Sequence, residues 1–293
     1  MHRLVGVELG GTKTVVVLGQ PGRIDDKVAL ATTSSEETLG AALEVIERWQ
    51  ESSPIDALGI ASFGPIRVAV GAADYGTMLE IPKPGWAGAP VLDLLAAGLS
   101  CPVALDTDVN AAALAEYRLG AARGCSSLVY ITIGTGLGGG VVVEGHPVHG
   151  SMHPEIGHLR LRRAPGDGFG GACRFHGDCI EGLVSGPALA ARLGCHPGDV
   201  APDDPRWEPV AQDLAQLFAH LLLTLSPQQI VVGGGVSARQ PHLLAMARER
   251  VPEMLAGYLP DCTDEVLARI IVPPALGEDA GPMGALEVAS RAL

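Results

Sequence analysis

Apolar positions along the 293-residue chain recur in two alternating rhythms, short β-branched runs and longer stretches at helical spacing. Val5-Gly6-Val7 and Thr14 to Leu18 predict two strands joined around Gly10-Gly11. Between Glu36 and Glu51, the residues Leu39, Ala42, Leu43, Ile46 and Trp49 share one helical face, with Ser34 or Ser35 placed to cap it. Ala57 to Ser62 predicts a further strand that stops at Gly64-Pro65. From Gly71 to Pro90 the periodicity is broken by Gly76, Pro82, Pro84, Gly85, Gly88 and Pro90, which predicts a long structured loop. A short helix near Val91 to Leu99, a buried strand near Val103 to Leu105 and a helix from about Asn110 to Gly120 follow. The second half predicts helices over Gly186 to Leu193, Trp207 to Leu225, Arg239 to Gly257 and Met283 to Leu293. Strands alternating with helices predict an α/β protein in two domains around a cleft, with a hinge near residue 115.

One pattern occurs twice. Val129 to Val143, with its turn at Gly134-Thr135-Gly136, repeats Val5 to Val17, with its turn at Gly10-Gly11-Thr12, at an offset of 124 residues. Both read as strand, glycine-rich turn, strand, and predict two halves that each present a phosphate-facing hairpin. A third turn, Gly233-Gly234-Gly235 after Ile230-Val231-Val232, adds weight to a nucleotide site.

Composition narrows the class. Apolar residues make up 47% and charged residues 18%, ordinary for a globular protein and incompatible with wholesale disorder. Mean hydropathy is +0.27, yet no uninterrupted apolar stretch approaches the roughly 18 residues of a membrane span. With no signal-peptide core at the N-terminus, a soluble cytoplasmic protein is expected. The net charge of −13 argues against a general nucleic-acid binder but leaves room for a nucleotide, which backbone amides and a metal ion neutralise locally. Only Lys13, Lys27 and Lys83 are lysines, so a lysine beside a glycine turn stands out.

Three constellations carry chemistry. In Glu8-Leu9-Gly10-Gly11-Thr12-Lys13 the glycines allow close backbone approach to an anion, Thr12 adds a hydroxyl, Lys13 a charge, and Glu8 could hold Mg²⁺ through water. The spacing is not that of a P-loop. In Asp106-Thr107-Asp108-Val109-Asn110, at a strand–helix junction, one carboxylate suffices as a cap and the other is placed as a general base. Asp108 is the choice, with Asp106 oriented differently or hydrogen-bonded to the loop. Third, Cys173-Arg-Phe-His176-Gly-Asp-Cys179 has tetrahedral zinc spacing, and His158 is the nearest fourth ligand. Four protein ligands leave no open position, so such a zinc is structural and pins the loop carrying Glu155 and Glu181. A Cys173–Cys179 disulfide is the alternative, disfavoured in a cytoplasmic setting.

Further segments complete the set: Ala61-Ser-Phe-Gly-Pro65, Pro82-Lys-Pro-Gly-Trp86, Ala111 to Glu116, Ile131 to Gly138, His153-Pro-Glu-Ile-Gly-His158 and Cys173 to Gly182. Together with the three constellations, and over nearly the whole chain, they resemble the ROK family (repressors, open reading frames and sugar kinases), above all its bacterial fructokinases. The resemblance implies an actin-like, hexokinase-type fold of two ribonuclease-H-like domains. These would span 1–115, completed by a C-terminal helix at 283–293, and 116–282, with the zinc loop. It also implies a homodimer. By position it makes Asp108 the catalytic base and places Asp106, Asn110, Glu155, His158 and Glu181 around the sugar. Gly10, Gly11, Thr12, Lys13, Thr132, Gly134, Thr135, Gly136, Pro187 and Gly233 to Gly235 become the ATP contacts. The zinc ligands are His158, Cys173, His176 and Cys179. The family's usual Asp at the position of Glu8, and Cys-x-Cys at Cys173 and His176, are replaced as in the fructokinase-like branch.

The expected activity is ATP-dependent, Mg²⁺-assisted phosphorylation of a hexose, with fructose the first choice and glucose or mannose the alternatives. Positioning and electrostatics would dominate, with closure excluding water. A sugar-responsive repressor of the same family would carry a helix-turn-helix module ahead of the first strand, which is expected by about residue 4. A zinc-dependent binding protein without catalysis leaves Asp108 and the phosphate turns without a purpose.

Overall fold

The computed structural model describes residues 2–293, which cluster into two compact units. The first comprises the chain through Gly120, Gly145–Pro154 and Glu278–Leu293; the second comprises Ala121–Glu144 and Glu155–Gly277. This division differs from one at residue 115, which would cut a helix that runs unbroken to Arg118. Gly145–Pro154 joins the first unit through hydrogen bonds from His149 to Asp106 and from the Ile66 amide to His153.

In the first unit β1 (Leu4–Leu9), β2 (Lys13–Gln20), β3 (Arg23–Ala31), β4 (Ala57–Ser62) and β5 (Val103–Thr107) form a sheet in the order β3-β2-β1-β4-β5. The first three strands are antiparallel, while β4 and β5 continue from β1 in parallel. β3 has no counterpart in the apolar pattern, because it lies at the sheet edge, carries Asp25, Asp26 and Lys27 at its centre and has no fully buried residue. On one face packs α1 (Ser35–Ser52), capped by Ser34, whose Oγ accepts from the Glu37 amide at 3.3 Å. Its Leu39, Ala42, Ile46 and Trp49 share a core with Val7, Ile60 and Trp86.

The short α2 (Val91–Ala96) precedes β5, and α3 (Asp108–Arg118) follows it directly. On the opposite face lies α10 (Ala280–Ser290), packed against β1, β4 and α3. Glycines make that approach possible. A Cβ on Gly6 would sit 2.8 Å from the Ala285 Cβ, and one on Gly59 would overlap the Ala285 carbonyl and the Ala289 amide. α10 starts ahead of the predicted Met283 because Pro282 is tolerated in a first helical turn.

The second unit repeats the plan. β6 (Ser127–Ile133) and β7 (Leu137–Val143) form an antiparallel hairpin, as β1 and β2 do. After the two-residue β8 (His146–Pro147) of the first unit, β9 (Gln229–Gly233) and β10 (Ile271–Val272) extend the sheet from β6 in parallel, giving β10-β9-β6-β7 within this unit. The helices are α4 (Ile180–Val184), α5 (Gly186–Leu193), α6 (Glu208–Leu225), α7 (Gly235–Arg239), α8 (His242–Leu255) and α9 (Asp264–Ile270). The helix predicted over Arg239 to Gly257 is α8, which starts three residues later, while Arg239 closes the separate α7. The two part at Gln240-Pro241, since proline cannot donate an amide hydrogen to a continuing helix. α6 buries Leu214, Leu217, Phe218 and Leu221 in the unit's core, with Leu243 and Val251 of α8. Among the described residues no helix is long and apolar enough to cross a membrane.

Candidate active site

Glu8 and Asp106 occupy one row of the first sheet, each paired with Ala61 of the strand between them, near the C-terminal ends of parallel strands. Ligands of open α/β sheets collect at such ends. The turn after Glu8 is closed by the Gly10 amide donating to the Lys13 carbonyl at 3.0 Å. A Cβ on Gly10 would lie 2.7 Å from that carbonyl oxygen, which is why glycine is needed there. Gly11, Thr12 and Lys13 are exposed. Glu8 is packed against Gly281 in the first turn of α10, where any side chain would collide with its carboxylate. Burial, then the charge of Asp108, pushes the Glu8 carboxyl up to about 7 against the pull of Lys13 and Lys27.

The two aspartates at the β5–α3 junction have different surroundings. Asp106 is buried, and its Oδ1 accepts from the Thr107 amide (2.8 Å) and the Asn110 Nδ2 (2.7 Å) and meets His149 Nε2 at 3.0 Å. The Asp106 hydrogen bond raises the pKa of His149 above its ordinary value. Asp108 is half-buried at the first residue of α3; it accepts from the Val109 amide (2.9 Å) and has no side-chain partner among the described residues. Burial moves its carboxyl up to about 6. Capping falls to Thr107, whose Oγ1 accepts from the Asn110 amide at 3.2 Å. The Asn110 Oδ1 is buried without a partner among the described residues. His149 lies 43 residues from Asp106 and carries no local sequence signal that pairs the two. His153 is buried, accepts from the Ile66 amide at 3.4 Å, and is held below the ordinary histidine range by desolvation.

In the second unit the other glycine turns come together. Thr132 pairs with Gly233 across β6 and β9. The Gly134-Thr135-Gly136 turn is closed by the Gly134 amide on the Gly136 carbonyl (2.8 Å), and the Gly134 carbonyl accepts from the Gly186 amide (2.8 Å) at the start of α5, one residue before Pro187. Gly234 adopts φ 90°, and a Cβ on it would lie 2.5 Å from the Ile133 backbone. One surface therefore gathers the β6–β7 turn, the α5 N-terminus and the glycine triplet.

Glu181, in the first turn of α4, accepts from the Leu137 amide at 3.1 Å, and Gly136 leaves room for it. Glu155 is exposed and opens the single turn that carries His158.

His158, Cys173, His176 and Cys179 form one cluster with all ligand atoms within 4.8 Å of one another. The two Nδ1 atoms are 3.3 Å apart; Cys179 Sγ is 3.6 Å and Cys173 Sγ 3.8 Å from His158 Nδ1, and Cys173 Sγ is 3.9 Å from His176 Nδ1. Tetrahedral zinc, with bonds of about 2.0–2.1 Å to nitrogen and 2.3 Å to sulfur, separates its ligand atoms by about 3.3 Å (N to N) and 3.6 Å (N to S). The donor set fits the ion. Both cysteines are free, so the alternative disulfide is not formed. Burial and the neighbouring Cys173 push the Cys179 thiol up to about 11, so a thiolate there calls for a cation.

The knuckle is closed by the Cys173 and Gly177 backbones (3.0 and 2.9 Å) and rests on Gly182 of α4, where a Cβ would overlap the Gly177 carbonyl. A buried network braces it. Arg192 pairs with Asp213 (2.7 Å) and Asp167, and Arg163 pairs with Asp167 (2.6 Å) and reaches Asp178 at 3.8 Å.

Residues 4–292 match the ROK family. A fructokinase of Zymomonas mobilis is 40% identical to the chain over 299 residues, covering 98% of this chain and 96% of its own. A fructokinase of Pediococcus pentosaceus is 39% identical, covering 99% and 98%. Among solved structures, a ROK hexokinase of Thermus thermophilus superposes with a TM-score of 0.79 at 30% identity, covering 99% and 98%. A ROK glucokinase of Streptomyces griseus, solved with glucose and AMPPNP, gives 0.76 at 27% identity, covering 99% of each chain. The mixed α/β architecture is the actin-like, hexokinase-type fold of these kinases. By the extent of the match and the identity of these relatives, the chain is a member of the ROK family.

Proposed function

We propose that this chain is an ATP-dependent hexose kinase that transfers the γ-phosphoryl group to fructose, giving fructose 6-phosphate. The observation that carries the reading is the contrast between the two aspartates. Asp106 is tied at Oδ1 by Asn110, His149 and a backbone amide, whereas Asp108 has no side-chain partner among the described residues and a carboxyl raised to about 6. A general base works best when free to reach a hydroxyl and near the working pH.

Asp108 takes the proton of the attacking sugar hydroxyl. Asp106 and Asn110, and Glu155, His158 and Glu181, pair with sugar hydroxyls; His158 turns Nδ1 to the metal cluster and keeps Nε2 for this purpose. Gly10, Gly11, Thr12 and Lys13 receive the transferred phosphoryl group, and Thr132, Gly134, Thr135, Gly136, Pro187 and Gly233 to Gly235 hold the nucleotide. MgATP supplies the phosphoryl group and the divalent charge that lowers the cost of gathering its oxygens. Zinc held by His158, Cys173, His176 and Cys179 is structural, with every ligand position taken by protein. The protein works in the cytoplasm as a homodimer.

Fructose as acceptor is supported by the relatives named fructokinase at 39–40% identity. The structural likeness to a glucokinase favours glucose as the second reading. Hexoses compared side by side with MgATP, following ADP release, test this. Fructose should exceed glucose in kcat/KM by at least about tenfold, or about 1.4 kcal/mol of transition-state discrimination. A preference for glucose removes the fructokinase assignment and leaves the kinase; no turnover with any hexose removes both.

A further inference from the structure

The three lysines of the chain, Lys13, Lys27 and Lys83, all lie in the first unit around the β1–β2 turn, while every other Lys/Arg position is arginine. Lys13 and Lys27 both act on the Glu8 carboxyl, and Lys27 pairs with Asp279 at 2.6 Å, at the start of α10. Lys83 arrives from the 71–90 loop. Its Nζ donates to the Gly11 carbonyl at 2.8 Å and the Thr32 carbonyl at 3.3 Å. The loop is anchored for this reach by Trp86, fully buried, whose Nε1 donates to the Thr33 carbonyl at 2.8 Å.

Each carbonyl of the turn is tied to Thr32 or Lys83. The Gly10 carbonyl accepts from Thr32 Oγ1 (2.8 Å), the Gly11 carbonyl from Lys83, and the Thr12 carbonyl from the Thr32 amide (3.1 Å). In a trans peptide the carbonyl and the following N–H point in opposite directions. Drawing the Gly10 and Gly11 carbonyls toward Thr32 and Lys83 aims the Gly11 and Thr12 amide hydrogens away from them, and neither hydrogen has a partner among the described residues. Successive amides turned outward in this way make an anion-binding concavity.

Thr32 ties its two carbonyls with neutral groups; Lys83 holds the third with a full charge, and one of its three donors has no partner among the described residues. We propose that Lys83 is a positioning residue of the phosphoryl-binding turn: by holding the Gly11 carbonyl it aims the Thr12 amide at the transferred phosphoryl group, and its charge favours that group there. The identity of the anion rests on the kinase reading; the orientation of the turn does not.

Lys83→Met removes charge and donors at similar length, and Lys83→Arg retains both. Initial rates with hexose and MgATP varied in turn, equilibrium binding of the sugar, thermal unfolding and calorimetry with inorganic tripolyphosphate separate the roles. A lost charge-assisted hydrogen bond predicts a fall in kcat/KM for MgATP of about tenfold or more in Lys83→Met. Tripolyphosphate binding should weaken as well, while sugar affinity and Tm hold and Lys83→Arg recovers most of the loss. Wild-type kinetics toward MgATP in Lys83→Met overturn the proposal, as does a parallel loss of sugar affinity and Tm. If the wild-type protein phosphorylates no hexose, the kinase reading falls. Tripolyphosphate then still decides the assignment: weaker binding by Lys83→Met upholds it, and equal binding overturns it.

Discussion

Asp108 and Glu8 are single residues whose surroundings set opposite demands on stability and activity. Both hold their protons at higher pH than the ordinary 3.8 and 4.5, chiefly because burial disfavours the carboxylate. The folded state therefore binds protons over a window in which the unfolded chain has lost them. Stability from this source is complete below about pH 4 and is lost as pH rises through about 6 for Asp108 and 7 for Glu8. A base at Asp108 is competent only when ionised, so kcat/KM should climb through about pH 6 to a plateau while the unfolding midpoint declines. A pH–rate profile flat between pH 5 and 7 would sink the assignment. Asp108→Asn should lower kcat by about 10²–10⁴ with sugar affinity retained. At pH 8 the same variant should unfold at a higher denaturant concentration than wild type, because a buried carboxylate has been made neutral. Near-normal turnover would move the role to Asp106.

Two elements, the C-terminal helix and the metal knuckle, depend on close backbone approach. α10 rests on the sheet over Gly59, where a Cβ would overlap the helix backbone, whereas Gly40 on the exposed side of α1 has nothing within 4 Å. Gly59→Ala should destabilise by about 1–3 kcal/mol through overpacking. Gly40→Ala should stabilise by about 0.5–1 kcal/mol through helix propensity. Equal effects in urea titrations would mean α10 does not sit as described. For the knuckle, elemental analysis should find about one zinc per chain, and chelation should lower Tm along with activity, since metal binding and local folding are one equilibrium. Cys179→Ser should bind less zinc. Full occupancy in that variant would show the ligand set to be wrong.

At the scale of the whole molecule, the two units carry related strand plans, β1-β2 with β4 and β6-β7 with β9, and the 124-residue repeat made that legible. Legible too were the glycine turns, the Cys/His spacing, a serine cap at Ser34 or Ser35, of which Ser34 takes the role, and most strand–helix alternation. Each is a local property, fixed by backbone sterics and side-chain periodicity over a few residues. β3 was not legible, because its polar, half-exposed residues form a strand only by pairing with β2. The choice of Asp108 over Asp106 could be made at the strand–helix junction, but the partner His149 that holds Asp106, 43 residues away, could not. Lys83 is one of only three lysines in the sequence, but its hold on Gly11 spans 72 residues. Such pairings are selected by how the packed elements close on one another, and no local pattern encodes them. Residue chemistry and the positions of the turns are local and written along the chain; the partner that holds Asp106 and the outward aim of the β1–β2 turn amides arise only when distant elements pack together.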